Sequence, residues 1–218
     1  IYVVSVGLVA AVLTFAFAPA LVKEQPNAIL SLQILAPTIF LSGFLAIYRG
    51  YLQAYKTMIP TSISQIIEQI ANAVVSVLAA YLMSRPFVPG TSEHAKYGAA
   101  GSAMGTGAGV LCGIIYILIA YAGRRKEIME TVESDVSSNV ESYGKLFRQI
   151  VMIVTPIIIA AFVYNITTTV DMKIFYNVLN SKNVDRVESA NLYGIFSGQY
   201  MVLINLPVST VSYTHLRA

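Results

Sequence analysis

Six stretches of this chain run for about twenty residues or more with almost no charge, and that pattern constrains the fold more than any other feature. Residues 1–22, 25–48, 97–123, 149–170 and 189–210 contain no Asp, Glu, Lys or Arg, and residues 57–84 contain one, Glu68. A hydrocarbon layer about 30 Å thick is crossed by about 20 helical residues at about 1.5 Å each, so every stretch is long enough to span it. No period-two alternation runs through them. Helices are then the spanning elements, because in lipid every backbone polar group must find its partner internally. The expected fold is an all-α polytopic membrane protein with about six transmembrane helices.

Composition narrows the function classes. Only 11% of the 218 residues are charged, against about a quarter in a soluble domain, and 56% are hydrophobic. The net charge of +3, with no basic cluster larger than Arg124, Arg125 and Lys126, is too small to track a phosphate backbone, so no nucleic-acid partner is expected. A single cysteine, Cys112, excludes an internal disulfide and reads as a small buried side chain. Two histidines cannot assemble a zinc set, so neither metal nor cofactor is expected. His94 and Cys112 fall on different elements, and no GxxxxGK[ST] phosphate loop occurs, so the chain does not read as an enzyme. Opening at Ile1 inside an apolar run, it reads as an internal piece of a longer protein. Residues 211–218 resemble a translated sequencing adapter and take no part in the functional reading.

The connections are short except one. Residues 123–148 mix Arg124, Arg125 and Lys126 with Glu127, Glu130, Glu133, Asp135 and Glu141, then Lys145 and Arg148. They divide the chain into residues 1–122, with four helices, and residues 149–210, with two. The end of this linker, 140–150, suits a short interfacial helix leading into the fifth span. Lys and Arg concentrate slightly in the 49–57 and 123–148 loops, which places both in the cytoplasm. Tyrosines 48, 51, 55, 81, 97, 121 and 193 fall at predicted helix ends, where a ring can stay in lipid and its hydroxyl in water.

The third helix carries the most informative side chains. Ser62, Gln65, Gln69, Asn72 and Ser76 recur at spacings of 3, 4, 3 and 4, which at about 100° per residue gathers them into an arc of about 80°. Glu68 widens the arc to about 120°, and apart from Ser64 the rest is chiefly Ile, Val, Leu and Ala. Such a stripe either lines an aqueous passage or hydrogen-bonds to neighbouring helices. Glu68 lies about 12 to 14 Å past the cytoplasmic end, near mid-bilayer, and costs several kcal/mol there unless protonated or paired. It is a candidate substrate or ion site, or a paired carboxylate that joins helices. Ser31, Thr38, Ser42 and Arg49 share one face of the second helix. Arg49 either meets an anionic head group at the cytoplasmic mouth or snorkels to water.

Gly101, Gly105, Gly109 and Gly113 recur every four residues on the fourth helix, a stripe that admits another helix to backbone contact. Gly194 and Gly198 form a shorter version on the sixth. Pro37 and Pro156 sit inside spans, where packing is the default role. Asn165, Thr167, Thr168 and Thr169 end the fifth span, followed by Asp171, a candidate ion site that is expected to pair locally with Lys173.

Three blocks, Arg49-Gly50-Tyr51-Leu52-Gln53, Met58-Ile59-Pro60-Thr61 and Ser64-Gln65-Ile66-Ile67-Glu68-Gln69, resemble the SpoVB and YtgP branch of the polysaccharide-biosynthesis flippases, relatives of the MurJ lipid II flippase. Thr155-Pro156, Asp171, Tyr193-Gly194 and Leu203-Ile204-Asn205-Leu206-Pro207 look like the seventh and eighth helices of the same branch. The resemblance covers most of residues 30–210 and implies a two-lobe, MATE-like carrier of about twelve to fourteen helices, with this chain as helices three to eight. It implies a substrate too: an undecaprenyl-pyrophosphate-linked saccharide, most simply lipid II, turned across the bacterial cytoplasmic membrane by alternating access. Membrane lipids and cell-wall synthesis proteins are the implied further partners. Arg49, Gln65, Glu68, Gln69 and Asn72 are then the candidate substrate or cavity residues. The chain departs from the pattern at Asn72, where many relatives carry a basic residue, and no basic residue occupies the sixth helix. Two alternatives stand beside this reading. A MATE-type cation-coupled exporter of small molecules would use Glu68 or Asp171 as its ion site. A non-transporting scaffold would have the third-helix stripe sealed and dry.

Overall fold

The computed structural model describes residues 2–22, 26–55, 58–134 and 142–205, and every regular element among them is helical. Residues 211–218, together with Lys56, Asp135, Glu141, Leu206 and Pro207, lie outside the described residues. The chain divides into two compact units, Ile1–Val136 and Ser137–Ala218. Five helices are long and apolar enough to cross a bilayer, as in a multi-pass membrane protein.

The first unit holds four helices: α1 (Tyr2–Leu21), α2 (Ile29–Ala54, entered through a 3-10 turn at Pro26–Ala28), α3 (Ile59–Ser84) and α4 (Ser92–Glu133). Pro60 falls in the first turn of α3, where its missing N–H is not needed. Between α3 and α4 the chain turns through Gly90, whose φ of 87° suits a residue without Cβ. Thr91 caps α4, its Oγ1 accepting from the His94 N–H at 3.3 Å, and Glu93 sits in the first turn, where negative charge is favoured. The Phe87 and Tyr97 rings stack across this turn, 4.5 Å between centroids. Asn27 Nδ2 donates to Ser92 Oγ at 2.7 Å, tying the start of α2 to the start of α4.

α4 is the hub of this unit. It packs along α3 and along α2, and α1 lies against α2. Leu45 and Leu52 of α2 meet Val110, Ile114 and Ile117 of α4 in the core, with Phe44, Tyr48 and Tyr121 closing its edge. Outward faces are apolar at Leu8, Val12 and Phe15 on α1 and at Val74 and Val77 on α3, all exposed, as a lipid-facing surface requires.

The second unit is a helical hairpin. α5 (Tyr143–Ser181) turns through Asn183, at φ 56° in the left-handed region that Asn tolerates, into α6 (Arg186–Ile195). Asp185 caps α6, its carboxylate accepting from the Val187 N–H at 3.0 Å. Phe175 and Tyr176 of α5 pack against Tyr193 of α6, with ring centroids 5.4 and 5.5 Å apart. Beyond α6 a π turn covers Phe196–Tyr200 and helix continues through residue 205. Helical structure therefore occupies the expected sixth span from 189 to 205, while 206–210 lie outside the described residues.

The structure departs from expectation around residues 123–148. Residues 123–133 are helical and belong to α4, and residues 143–150 are the opening turns of α5 rather than a separate interfacial helix. At about 1.5 Å per residue α4 and α5 are each about 60 Å long, twice the hydrocarbon thickness, so both run well past the lipid.

Candidate functional site

Arg49 lies about 7.5 Å from the C-terminal end of α2, and Ser64 lies about as far inside the N-terminal end of α3. The side chains meet. Arg49 donates to Ser64 Oγ from Nε at 3.2 Å and from Nη2 at 2.7 Å. Nη2 also donates to Glu68 Oε2 at 2.7 Å, one helical turn deeper. Ser64 in turn donates to the Gly113 carbonyl of α4 at 3.3 Å. A hydroxyl has one proton and two lone pairs, so this one, fully buried, is completely used. The guanidinium does not turn back to the membrane surface. It reaches inward and joins α2, α3 and α4 at one point.

Room for that junction comes from Gly113. A Cβ there would stand 3.2 Å from Leu45 Cδ2, 3.4 Å from Arg49 Nη2 and 3.5 Å from Ser64 Oγ. The other stripe glycines face α3 itself. A Cβ at Gly101 would meet the Ala79 backbone at 2.5 Å, one at Gly105 would collide with Ser76, and one at Gly109 would stand 2.7 Å from the Glu68 carbonyl. Helix backbones thus touch along α3 and α4, as small residues permit in lipid. Gly194 and Gly198 meet nothing within 4 Å.

The polar stripe on α3 straddles the edge of this seam. Asn72 and Ser76 are half-buried against α4, with Ser76 Oγ 2.9 Å from Asn72 Oδ1 and 3.0 Å from the Ser102 carbonyl. Gln65 and Gln69 lie further round the helix and are exposed, flanking an open surface shared with Ser62, Ile66 and Ile70. Arg49 and Glu68 are only 16% and 20% exposed, so the ion pair sits just inside the edge on which the glutamines stand.

On α2, Ser42 donates to the Thr38 carbonyl at 2.8 Å, and buried Thr38 packs where a Cβ on Gly107 would approach its Oγ1 to 3.1 Å. Ser31 has a buried hydroxyl with no hydrogen-bond partner among the described residues. In the second unit, Asn165, Thr167, Thr168 and Thr169 bond back to carbonyls four residues earlier, at 2.7, 3.0, 3.2 and 3.0 Å. The three Thr hydroxyls and one Asn165 amide N–H thus donate within their own helix. Asp171 is exposed on α5 and makes no ion pair with Lys173 or any other group among the described residues. The expected local pairing fails because residues two apart on a helix point about 200° apart.

Ser64 is the residue that the sequence pattern passed over. It lies outside the stripe of amides, but it stands one turn before Glu68, and that spacing puts it on the same face. No group of three or more His, Cys, Asp or Glu converges among the described residues, and Cys112 is a free thiol. A cation at Glu68 would have to compete with the guanidinium that occupies Oε2.

Chemically, the cluster is a cationic donor held by one neutral hydroxyl and one carboxylate at the margin of a polar stripe. Comparison with known proteins adds a class. Residues 1–216 match the sequence pattern of the family described as polysaccharide biosynthesis protein. Stage V sporulation protein B of Bacillus subtilis (strain 168) is 23% identical over 201 residues, a match that covers 91% of this chain and 37% of that protein. The chain thus spans little more than a third of the length of that relative. No solved structure matches the chain.

Proposed function

The chain belongs to the polysaccharide biosynthesis protein family, and from that premise we propose that it is part of a flippase for lipid-linked saccharides, with Arg49 meeting the phosphate of the substrate. The observation that carries the reading is the Arg49–Ser64–Glu68 cluster, a guanidinium turned into the membrane and only 16% exposed. A prenyl-pyrophosphate-linked sugar presents two problems to a carrier. Its tail can stay in lipid, but its pyrophosphate must leave water, and a guanidinium with several fixed donors offsets that loss. Gln65 and Gln69, exposed beside the cluster, offer amide donors and acceptors suited to sugar hydroxyls. Asn72, braced by Ser76, lines the same edge. Asp171 serves as the candidate ion site in the second unit, since its carboxylate carries no counter-charge among the described residues.

On this reading the substrate is an undecaprenyl-pyrophosphate-linked saccharide such as lipid II, moved by alternating access without chemical change, so the protein is a carrier rather than an enzyme. The test is complementation of a bacterium depleted of its lipid II flippase, combined with reconstitution of the full-length protein in liposomes. Wild type restores growth and moves the labelled lipid. Glu68→Gln inserts normally but moves it more slowly. Unaltered transport by Glu68→Gln makes the residue a structural tie and removes it from the site.

A further inference from the structure

The way Arg49 is held assigns Glu68 a second task. We propose that the Glu68 carboxylate is a built-in stand-in for a phosphate oxyanion: it occupies the guanidinium until a phosphate group takes its place, and the exchange leaves Ser64 alone to join α2 to α3. This rests on the reading of Arg49 as a substrate contact and states how that contact is regulated.

Four observations carry it. First, the ion pair uses one oxygen and one nitrogen, Oε2 and Nη2, rather than the two parallel bonds a carboxylate and a guanidinium can make. Second, among the described residues Nη1 makes no hydrogen bond, so an incoming oxyanion can pair with Nη1 and with the Nη2 N–H that Glu68 now holds, while Nε and the other Nη2 N–H stay on Ser64. Third, Ser64 fixes the edge of the guanidinium independently of Glu68, because its hydroxyl is itself anchored to the Gly113 carbonyl of α4. The cation therefore stays in place when the carboxylate lets go. Fourth, α2 and α3 both pack extensively on α4 but touch one another little, so the bonds from Arg49 to Ser64 and Glu68 make up a large share of their direct connection, and the loss of one of them matters.

The energetics suit an exchangeable pair. A fully buried pair loses several kcal/mol when either partner departs, whereas this one is 16% and 20% exposed and therefore separates at lower cost. Phosphate and carboxylate compete for guanidinium through the same planar geometry, and phosphate brings more charge and more acceptor oxygens. A neutral ligand could not drive the exchange, because separating the pair would then leave both charges unpaired. The arrangement thus selects for anionic ligands by making Glu68 the standard that they must exceed.

The experiment measures binding of farnesyl pyrophosphate, inorganic pyrophosphate and farnesol to the full-length protein in detergent, beside thermal unfolding of each variant. Glu68→Gln removes the competitor, and its affinity for farnesyl pyrophosphate is expected to rise about tenfold, while farnesol binding is unchanged. Arg49→Gln loses the pyrophosphate-dependent binding, and the double variant Arg49→Gln/Glu68→Gln shows no gain. Should Glu68→Gln fail to fold, Glu68→Asp, one methylene short of the guanidinium, is expected to show a smaller rise. An equal gain for inorganic pyrophosphate supports the exchange and makes the anion alone its trigger. A gain confined to farnesyl pyrophosphate supports it and makes the lipid-borne phosphate the trigger. Unchanged or weaker binding of farnesyl pyrophosphate by a well-folded Glu68→Gln overturns the proposal. Liposome transport by wild type, run in parallel, separates the two readings. Transport without the affinity gain sinks the exchange alone, and the gain without transport sinks the carrier reading alone.

Discussion

The two ends of the α3–α4 seam are built by opposite means. Toward the loop that joins the helices, Gly101 and Gly105 bring α4 against the backbone at Ala79 and Ser76, with only the small Ser76 side chain, bonded to the Ser102 carbonyl, at the contact. Toward the opposite end, Gly113 makes space into which α2 sends Arg49, and Ser64 and Glu68 receive it. Backbone contact of the first kind has no alternative arrangement: the atoms either touch or the helices separate. A bridge of the second kind can change partners without disturbing the helices that carry it. One end of the seam is therefore fixed and the other is exchangeable, which is what a moving part needs beside its anchor.

Variants that break this contrast are expected to differ in scale. Gly105→Leu forces α4 off α3, since even a Cβ there collides with Ser76, and a loss of about 3 kcal/mol or more is expected, read as failure to accumulate in the membrane. Normal accumulation and melting of that variant would remove the anchor from the account. At the other end, Arg49→Leu strands the Glu68 carboxylate and is expected to cost about 2 kcal/mol, reduced from the figure for a sealed pair because both groups are partly exposed. The double variant Arg49→Leu/Glu68→Leu should recover most of that stability, measured as the unfolding midpoint, while recovering none of the transport. Recovery of both would make the pair simple glue. Ser64→Ala is expected to cost about 1 kcal/mol, as one hydroxyl that bonds both Arg49 and Gly113 is lost. Its sharper effect falls on the guanidinium, which keeps Glu68 but loses its aim. Transport should therefore drop more than the stability change accounts for.

Much of the fold was legible in the sequence because lipid imposes a simple rule: charge is absent where the chain crosses. The uncharged runs 1–22, 25–48, 97–123 and 149–170 correspond to α1, α2, α4 and α5, and the run containing Glu68 corresponds to α3. The same rule misplaced the helix ends. Arg124, Arg125 and Lys126 mark where apolar sequence stops, but a solvated helix tolerates charge, so α4 continues to Glu133. Lys145 and Arg148 likewise lie inside α5, continuous with the fifth span. Charge reports the edge of the lipid, not the end of the helix.

For the candidate site, single residues were legible and their relations were not. Glu68 stood out as the one charge in its run, Arg49 as the charge closing the second, and the glycines at 101, 105, 109 and 113 as a contact stripe. Which helix the stripe would meet, and that Arg49 would reach Glu68 across it, depend on how α2 and α3 both settle on α4, and no spacing within one helix encodes that. Ser64 left only its spacing of one turn before Glu68, a weak signal because a lone hydroxyl in an apolar run is ordinary. Its importance comes entirely from two other helices. Asp171 and Lys173, close in sequence, turned out to point apart for a reason their spacing already contained.

The most direct trial of the central claim, that Arg49 contacts the phosphate of a transported lipid, is the rate at which Arg49→Gln full-length protein moves a fluorescent prenyl-pyrophosphate-linked saccharide across liposome membranes. The account predicts a fall of about tenfold or more at wild-type levels of inserted, folded protein. A rate equal to wild type would contradict it.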